Sequence, residues 1–477
     1  MSIINAPVGT ADGFREHTAS IAKDGTRRWI FPRRPSGRLY RARTIVSIFL
    51  LAFLFGAPLI KVNGQPFMLF NIIERKFVFF GLVFLPQDFY IVVLGALTML
   101  VSIFLFTSVM GRVWCGWMCP QTIFLEMLFR KIEYLIDGDN RKQRQLADAP
   151  MSPKKLFKRL LKNGIFFALS FLIANTFLAY IIGIDQLWQI ITDSPVNHLG
   201  GLFAITVFSL AFFFVFAWFR EQACVVVCPY GRYQSALVDE NTIVVAYDFK
   251  RGEPRGKLIK IDPKRPGSEL PKRGDCIDCR QCVEVCPTGI DIRNGIQLEC
   301  VNCTACIDAC NGVMDKIKKP RGLIRYSSHN AIKEGKFKWL TPCVIGYAGV
   351  WVLITSIFLY FFLSRPMAEV LVLRQPGTLS QTQADGSTVN FYVLQVANKH
   401  TSDVPIELKL IAPQQGAITP LGQLSPIPRI SVKDGRFLLA LPKSEITSPD
   451  MKVKFGVYSN GKLLKEVETR FLTAKSQ

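Results

Sequence analysis

Cys276-Ile-Asp-Cys279-Arg-Gln-Cys282-Val-Glu-Val-Cys286-Pro287 is followed thirteen residues later by Cys300-Val-Asn-Cys303-Thr-Ala-Cys306-Ile-Asp-Ala-Cys310. Eight of the chain's 13 cysteines therefore fall within 35 residues. The doubled C-x2-C-x2-C-x3-C spacing is that of bacterial two-cluster ferredoxins, in which the fourth cysteine of each run ligates the other cluster. It assigns Cys276, Cys279, Cys282 and Cys310 to one 4Fe–4S cluster and Cys300, Cys303, Cys306 and Cys286 to a second. Soft thiolates suit iron–sulfur chemistry. A pair of zinc sites is the plainer reading of any cysteine-rich stretch, and eight cysteines at this spacing speak against it. One departure is Asn311, where a proline often follows the last cysteine.

The remaining chain is unlike a soluble ferredoxin. It has 477 residues, 49% of them apolar and 37 of them Phe, with mean hydropathy +0.25. Lys and Arg number 58 against 36 Asp and Glu, a net charge of +22. Apolar content combined with basicity fits a multi-span membrane protein with Lys/Arg-rich inner loops. It excludes a disordered chain. Sparse cysteines in odd number exclude a disulfide scaffold.

Five uncharged stretches approach the roughly 20 residues that span a bilayer. They are Thr44–Ile60, Phe89–Gly111, Asn163–Ile184, Leu202–Phe219 and Phe337–Ser364, the last interrupted by Lys338. Phe67–Phe84 carries Glu74, Arg75 and Lys76 at its centre, and three charges at mid-bilayer are costly. It is expected to lie at the interface. Residues 1–43 hold nine Lys/Arg against three acids and residues 130–162 ten against four, whereas 185–201 hold none. Positive-inside counting then puts 1–43, 112–162 and 220–340 in the cytoplasm and 365–477 outside. The first 43 residues show no apolar leader. The expected domains are a basic N-terminus (1–43), a four-span domain (44–235), a ferredoxin domain (236–336), a fifth span (337–364) and an outer domain (365–477). The basic runs Arg27–Arg43 and Lys154–Lys162 are expected to set topology and meet lipid headgroups. No nucleic-acid reader module accompanies them.

The last 110 or so residues change character. Val389–Val396 and Lys452–Tyr458 read as strands, and Asp385-Gly386, Asp434-Gly435 and Asn460-Gly461 as turn dipeptides. An all-β sandwich of immunoglobulin type is expected, without a disulfide, because the tail has no cysteine. Gly456 to Lys462 spells the start of a phosphate loop, but Leu463 stands where Ser or Thr would be needed.

Four more cysteines form two pairs, Trp114-Cys115-Gly-Trp-Met-Cys119-Pro120 and Ala223-Cys224-Val-Val-Val-Cys228-Pro229, offset by 109 residues. Each C-x-x-x-C-P follows the second span of a two-span unit, which suggests an internal repeat. On one helix, residues i and i+4 share a face, so each pair could present two sulfurs together. Converged, they could hold copper(I), zinc or a further cluster, or cycle between dithiol and disulfide. Buried structural cysteine is the bland alternative. Cys343, at the start of the fifth span, reads as packing. His17, His198, His329 and His400 all lie outside the spans, which leaves no axial pair for a membrane haem.

Together these segments resemble the FixG/RdxA/CcoG-type cytochrome c oxidase accessory proteins, membrane polyferredoxins linked to assembly of cbb3-type oxidases. The resemblance rests on Trp29-Ile-Phe-Pro32-Arg33 with Gly37, Gly111–Gln121, Arg220–Ser235, Arg251–Gly256 and the ferredoxin run extending to Pro320–Arg325. It covers nearly the whole chain, the tail more weakly. It implies two 4Fe–4S clusters on the eight ferredoxin cysteines, and a copper or redox site at Cys115, Cys119, Cys224 and Cys228. It also implies reduction of Cu(II) to Cu(I) in a bacterial inner membrane, with the ferredoxin domain cytoplasmic and the immunoglobulin-like domain periplasmic. The partners expected on this basis are the oxidase or its copper-assembly factors and an unidentified electron donor. The alternatives are a subunit passing electrons from quinol to a periplasmic reductase, and a non-catalytic assembly scaffold.

Overall fold

The structure is a computed structural model. It describes residues 24 and 26–473 apart from 63, 73–75, 258–272, 367, 376–379, 384–386, 400–402, 423, 424 and 430. His17, His400, Glu74, Arg75, Asp385-Gly386 and most of the basic N-terminus lie outside the described residues. The chain forms two compact units, one of residues 1–60 and 93–358 and one of residues 61–92 and 359–477.

Among the described residues, five helices are long and apolar enough to cross a membrane: Arg38–Leu59, Pro86–Met110, Pro153–Ile182, Pro195–Phe219 and Pro342–Leu363. They carry large apolar side chains on their outer faces, with Phe49 70% and Phe203 73% exposed. Such surfaces belong in lipid rather than water. The first and third begin earlier than their uncharged stretches because their first turns take in basic residues. Pro153 opens the third helix at its first position, and the Ser152 hydroxyl accepts from the Lys155 amide (3.2 Å).

In the first unit, spans three and four meet through Phe177–Phe212 and Phe167–Phe213 ring contacts. Below them Phe129 is sandwiched between Phe216, stacked with centroids 4.6 Å apart, and Phe166, edge-on at 4.8 Å. Leu51, Leu54 and Phe55 of the first span pack on the same cluster. Spans two and five are joined by Trp351 Nε1 donating to Ser102 Oγ (2.6 Å). The ferredoxin part is bracketed by an antiparallel strand pair, Val244–Tyr247 with Ile324–Ser327. Its core combines Val245, Tyr247, Ile307, Met314 and Leu323 with Cys276 and Cys282. It is fixed to the first span by Asp308, whose carboxylate accepts from the Leu39 (3.3 Å) and Tyr40 (2.8 Å) amides. Those are otherwise orphan donors at a helix start, where negative charge is favoured.

In the second unit, Phe67–Phe84 is not among the membrane-capable helices. It forms a three-stranded antiparallel sheet, Met68–Asn71, Lys76–Phe79 and Leu82–Phe84. Leu69, Val78 and Val83 bury one face against Leu85 and Ala397, so the apolar residues serve a strand period of two rather than a helix. The tail has two antiparallel sheets. One places Ala417–Leu421, Ser431–Leu441, Thr388–Asn398 and Ala368–Arg374 side by side, and the other Glu407–Ala412, Asp450–Ser459 and Lys462–Leu472. Tyr392, Phe437 and Phe455 pack as a ring triad at 5.3–5.5 Å between centroids. Asn460-Gly461 is the hairpin turn, both residues at positive φ. Asp434-Gly435 is not a turn: it lies within a strand opposite Gln395 and Leu394. Gln395 Nε2 donates to Asp434 Oδ1 (3.0 Å) across the pair.

Candidate metal centres

The two ferredoxin runs share one backbone course. Asp278 and Arg280 in the first, and Asn302 and Thr304 in the second, all adopt φ between 51° and 65°. These left-handed residues alternate with the cysteines and curl each loop back on itself. Arg280 and Thr304 then start the helices Gln281–Glu284 and Ala305–Lys316. The loops enclose two cavities. Cys276, Cys279, Cys282 and Cys310 line one; Cys286, Cys300, Cys303 and Cys306 line the other, with Cys282 at the edge of both. Where a proline would often follow Cys310, the Asn311 side chain accepts from the Gly322 amide (2.9 Å).

All thirteen cysteines are free thiols. Burial pushes Cys282, Cys300 and Cys310 up to about 12 and Cys303 to about 11. Thiols so buried ionise only against an introduced positive charge, and a coordinating metal deprotonates them outright. Among the described residues no three of His, Cys, Asp and Glu stand close enough to share one metal ion. Four sulfurs lining one cavity fit a polynuclear group instead.

The paired cysteines correct the expectation that each pair shares one helix face. Cys115 is in the short helix Val113–Trp117, but Cys119 (φ −62°, ψ 125°) is extended and caps the next helix, opened by Pro120. The second pair repeats this: Cys224 is in the helical turn Ala223–Val227, and Cys228 (φ −63°, ψ 114°) caps Pro229–Leu237. A residue preceding proline is pushed out of the helical region, so the motif breaks its own helix. The likeness extends upstream, because Gly111 (φ 55°) and Arg220 (φ 53°) kink the chain four residues before each first cysteine.

The structure brings the two pairs together. Burial pushes Cys115 up to about 12, with the Arg112 charge opposing it and Cys119, Cys224 and Cys228 adding to it. Cys224 rises to about 12 by burial and by Cys119 and Cys228, with Thr122 and Arg112 opposing. Arg112 also donates to the Gly231 carbonyl, and Thr107 and Tyr230 share a 2.6 Å hydroxyl hydrogen bond, which ties span two to the second motif. Cys343 is exposed and joins neither group.

The pairs also abut the ferredoxin loops. Cys115 packs against Val285, Val301, Cys303 and Ala305. Gly116 lies on the backbone of Val301 and Asn302, and its carbonyl accepts from Arg43 Nε (2.6 Å). Trp117 Nε1 donates to the Tyr326 hydroxyl (3.3 Å), which donates to the Asn302 carbonyl (3.2 Å).

A buried charge network beneath the sites has no counterpart in the sequence reading. Arg130 donates to Glu126 (2.6 Å), to Glu221 (3.3 Å) and to the Pro287 carbonyl beside Cys286 (3.3 Å). Arg220 grips Glu133 with both terminal nitrogens (2.6 and 3.3 Å). These residues resemble ordinary inner-loop charges in sequence. The available signal was five acids and arginines flanking the two motifs, at positions with no need of solubility.

Comparison with known proteins places the same functions on the same stretches. Residues 219–329 match the family described as a 4Fe-4S dicluster domain, and 92–137 a 4Fe-4S binding domain. Residues 358–474 match the IG-like fold at the C-terminal of FixG. The chain is 38% identical to protein RdxA of Cereibacter sphaeroides over 78% of its length and 80% of that protein. It is 37% identical to RdxB of the same organism (78% and 79%) and 32% identical to the nitrogen fixation protein FixG of Rhizobium meliloti (78% and 77%). With cysteine-lined cavities, five membrane-capable helices and an immunoglobulin-like tail, the chain belongs to the FixG/RdxA family of multi-pass membrane iron–sulfur electron-transfer proteins.

Proposed function

We propose that the protein takes electrons from a cytoplasmic protein donor and reduces Cu(II) to Cu(I) for the copper centre of a cbb3-type oxidase. Each Cu(II) takes one electron, and the donor is oxidised by one. In this reading Cys276, Cys279, Cys282 and Cys310 hold one 4Fe–4S cluster and Cys286, Cys300, Cys303 and Cys306 the other. Bound clusters supply one-electron carriers at those two positions. The chain's own residues set the course: the left-handed turns aim the sulfurs inward, and Arg43, Trp117 and Tyr326 hold the two cysteine-bearing loops in register. Residues 112–162 and 220–340 face the cytoplasm and 365–477 the periplasm, a sidedness supported by the Lys/Arg distribution.

The observation that carries the reading is the packing of Cys115 on Cys303 and its neighbours. It offers electrons a short way from the ferredoxin loops to the paired cysteines, from which they leave for Cu(II) as substrate. The test mixes anaerobically reduced, full-length protein with Cu(II) and a Cu(I)-specific chromogenic chelator. Loss of the reduced-cluster spectrum should match Cu(I) formed electron for electron. Reduced protein that stays reduced in excess Cu(II) would overturn the proposal.

A further inference from the structure

We propose that Cys115, Cys119, Cys224 and Cys228 together bind a third 4Fe–4S cluster, with Arg112 as its cationic counter-group. This deepens the reading above and rests on its two ferredoxin ligand sets.

Three observations converge. The first is spacing. The two motifs meet: Arg112, three residues before Cys115, donates to the carbonyl of Gly231, three residues after Cys228, and Gly231 lies against the Cys224 carbonyl. Yet among the described residues no three such donors could share a single ion. The eight ferredoxin cysteines have the same property, and theirs is the arrangement of donors around a polynuclear group. A single copper or zinc ion would need sulfurs within about 2.3 Å of one point.

The second is charge and unspent hydrogen bonding. Arg112 is buried, its Nε has no partner, and its charge acts on Cys115, Cys224 and Cys300. A buried cation with an open donor is costly unless something negative takes it up. A thiolate-ligated cluster is negative and accepts hydrogen bonds at its sulfurs, which tune its potential. His198 is bonded to Asp193 and His329 stacks on Phe249, so neither described histidine offers this site a nitrogen ligand.

The third is ligand count. The stretch 92–137 matches a 4Fe-4S binding family but contains two cysteines, Cys115 and Cys119. A cubane on cysteine takes four. The second pair, with the same extended residue before proline and the same upstream kink, supplies the missing two.

The experiment is iron, acid-labile sulfide and copper analysis of the full-length protein, purified anaerobically in detergent, with Mössbauer spectra of iron-57-enriched samples. Three cubanes give about 12 irons per chain. Replacing all four cysteines by Ser should leave about 8, and Cys115→Ser alone should do the same. The retained ferredoxin iron then reports that these variants are folded, and Cys343→Ser should keep the wild-type count. About 8 irons in the wild type, or no iron lost from a folded quadruple variant, overturns the third cluster. So does one tightly bound copper in place of the extra iron. Should the quadruple variant fail to accumulate, the wild-type count decides. Eight irons with Cu(II) reduction intact would remove this inference and leave the proposed function standing. Twelve irons without Cu(II) reduction would do the reverse.

Discussion

Gly116 rests directly on Val301: a Cβ at Gly116 would stand 2.5 Å from the Val301 carbonyl oxygen and 2.8 Å from that of Asn302. Val301 and Asn302 are the two residues between Cys300 and Cys303, and Gly116 follows Cys115. Two cysteine-bearing loops, far apart in sequence, are therefore in backbone contact, and any side chain at this position would part them. Arg43, reaching in from the first span to the Gly116 carbonyl, closes the joint from a third side.

Gly116→Ala should test that joint. The added methyl has no room between backbone atoms, and overpacking of this kind costs about 1–3 kcal/mol. The ferredoxin iron should remain, because no ligand is touched. Cu(II) reduction should slow several-fold, measured by stopped-flow reoxidation of the reduced protein. An unchanged rate with unchanged thermal stability would show that the loops do not communicate through this contact.

The ligand sets make a sharper forecast, because each crosses between runs. Cys310→Ser should lose the same cluster as Cys276→Ser, and Cys286→Ser the same as Cys300→Ser, each removing about four irons. Low-temperature EPR of reduced samples should sort the four variants into those two classes. Sorting by run instead, with Cys310 grouped with Cys300, would mean that the clusters do not exchange their fourth ligands.

The ferredoxin runs were legible because metal ligation fixes residue type and spacing at once. The spans were legible because lipid demands continuous apolar length, and the tail because its strands alternate. What misled was local chemistry weighed too lightly. Cys119 and Cys228 precede prolines, and that alone bars them from the helix that would align them with Cys115 and Cys224. Asp434-Gly435 has turn composition, yet eleven paired residues of strand override it. The network of Arg130, Arg220, Glu133 and Glu221 left only charges flanking the two motifs to be read, since its partners lie up to 157 residues apart.

The second unit has its own test in Asp88. Its carboxylate accepts from Lys399 Nζ (2.6 Å) and from Arg365 Nη2 (2.6 Å), with Lys399 only 2% exposed at its side chain. Asp88→Asn leaves Lys399 with Glu369, which reaches it at 3.3 Å, and Arg365 with the Val83 carbonyl. Stripping a partner from a buried ion pair costs about 3–5 kcal/mol, and Glu369 should hold the loss near the lower figure. Limited proteolysis should show residues 359–473 cleaved faster in the variant. Equal resistance would show that this pair does not hold the unit together.

The proposed sidedness rests on the Lys/Arg asymmetry and an odd number of spans. Reporter fusions after Gly289 and after Gly461 should report opposite compartments, the first cytoplasmic and the second periplasmic. The same compartment at both would require an even number of crossings between them, against the single helix Pro342–Leu363 that separates them.

Acid should weaken the first unit through Glu133. Burial pushes its carboxyl up, but the charges of Arg220, Lys162 and Arg130 outweigh burial and hold it at about 2 against an ordinary 4.5. A carboxyl depressed by folding contributes its full stabilisation above the unfolded value. It loses that contribution as pH falls from about 4.5 toward 2, because the unfolded chain then binds the proton first. The shift is worth on the order of 3 kcal/mol. Glu133→Gln should therefore lower the midpoint of thermal unfolding at pH 7, leaving Arg220 buried beside a neutral amide. It should also flatten the fall in that midpoint between pH 5 and 3 relative to the wild type. The rest of the network is common to both proteins, so the difference between the two curves is the readout. Parallel curves across that range would show that Glu133 carries no such linkage, and that Arg220 holds its left-handed backbone, φ 53°, without help from this pair.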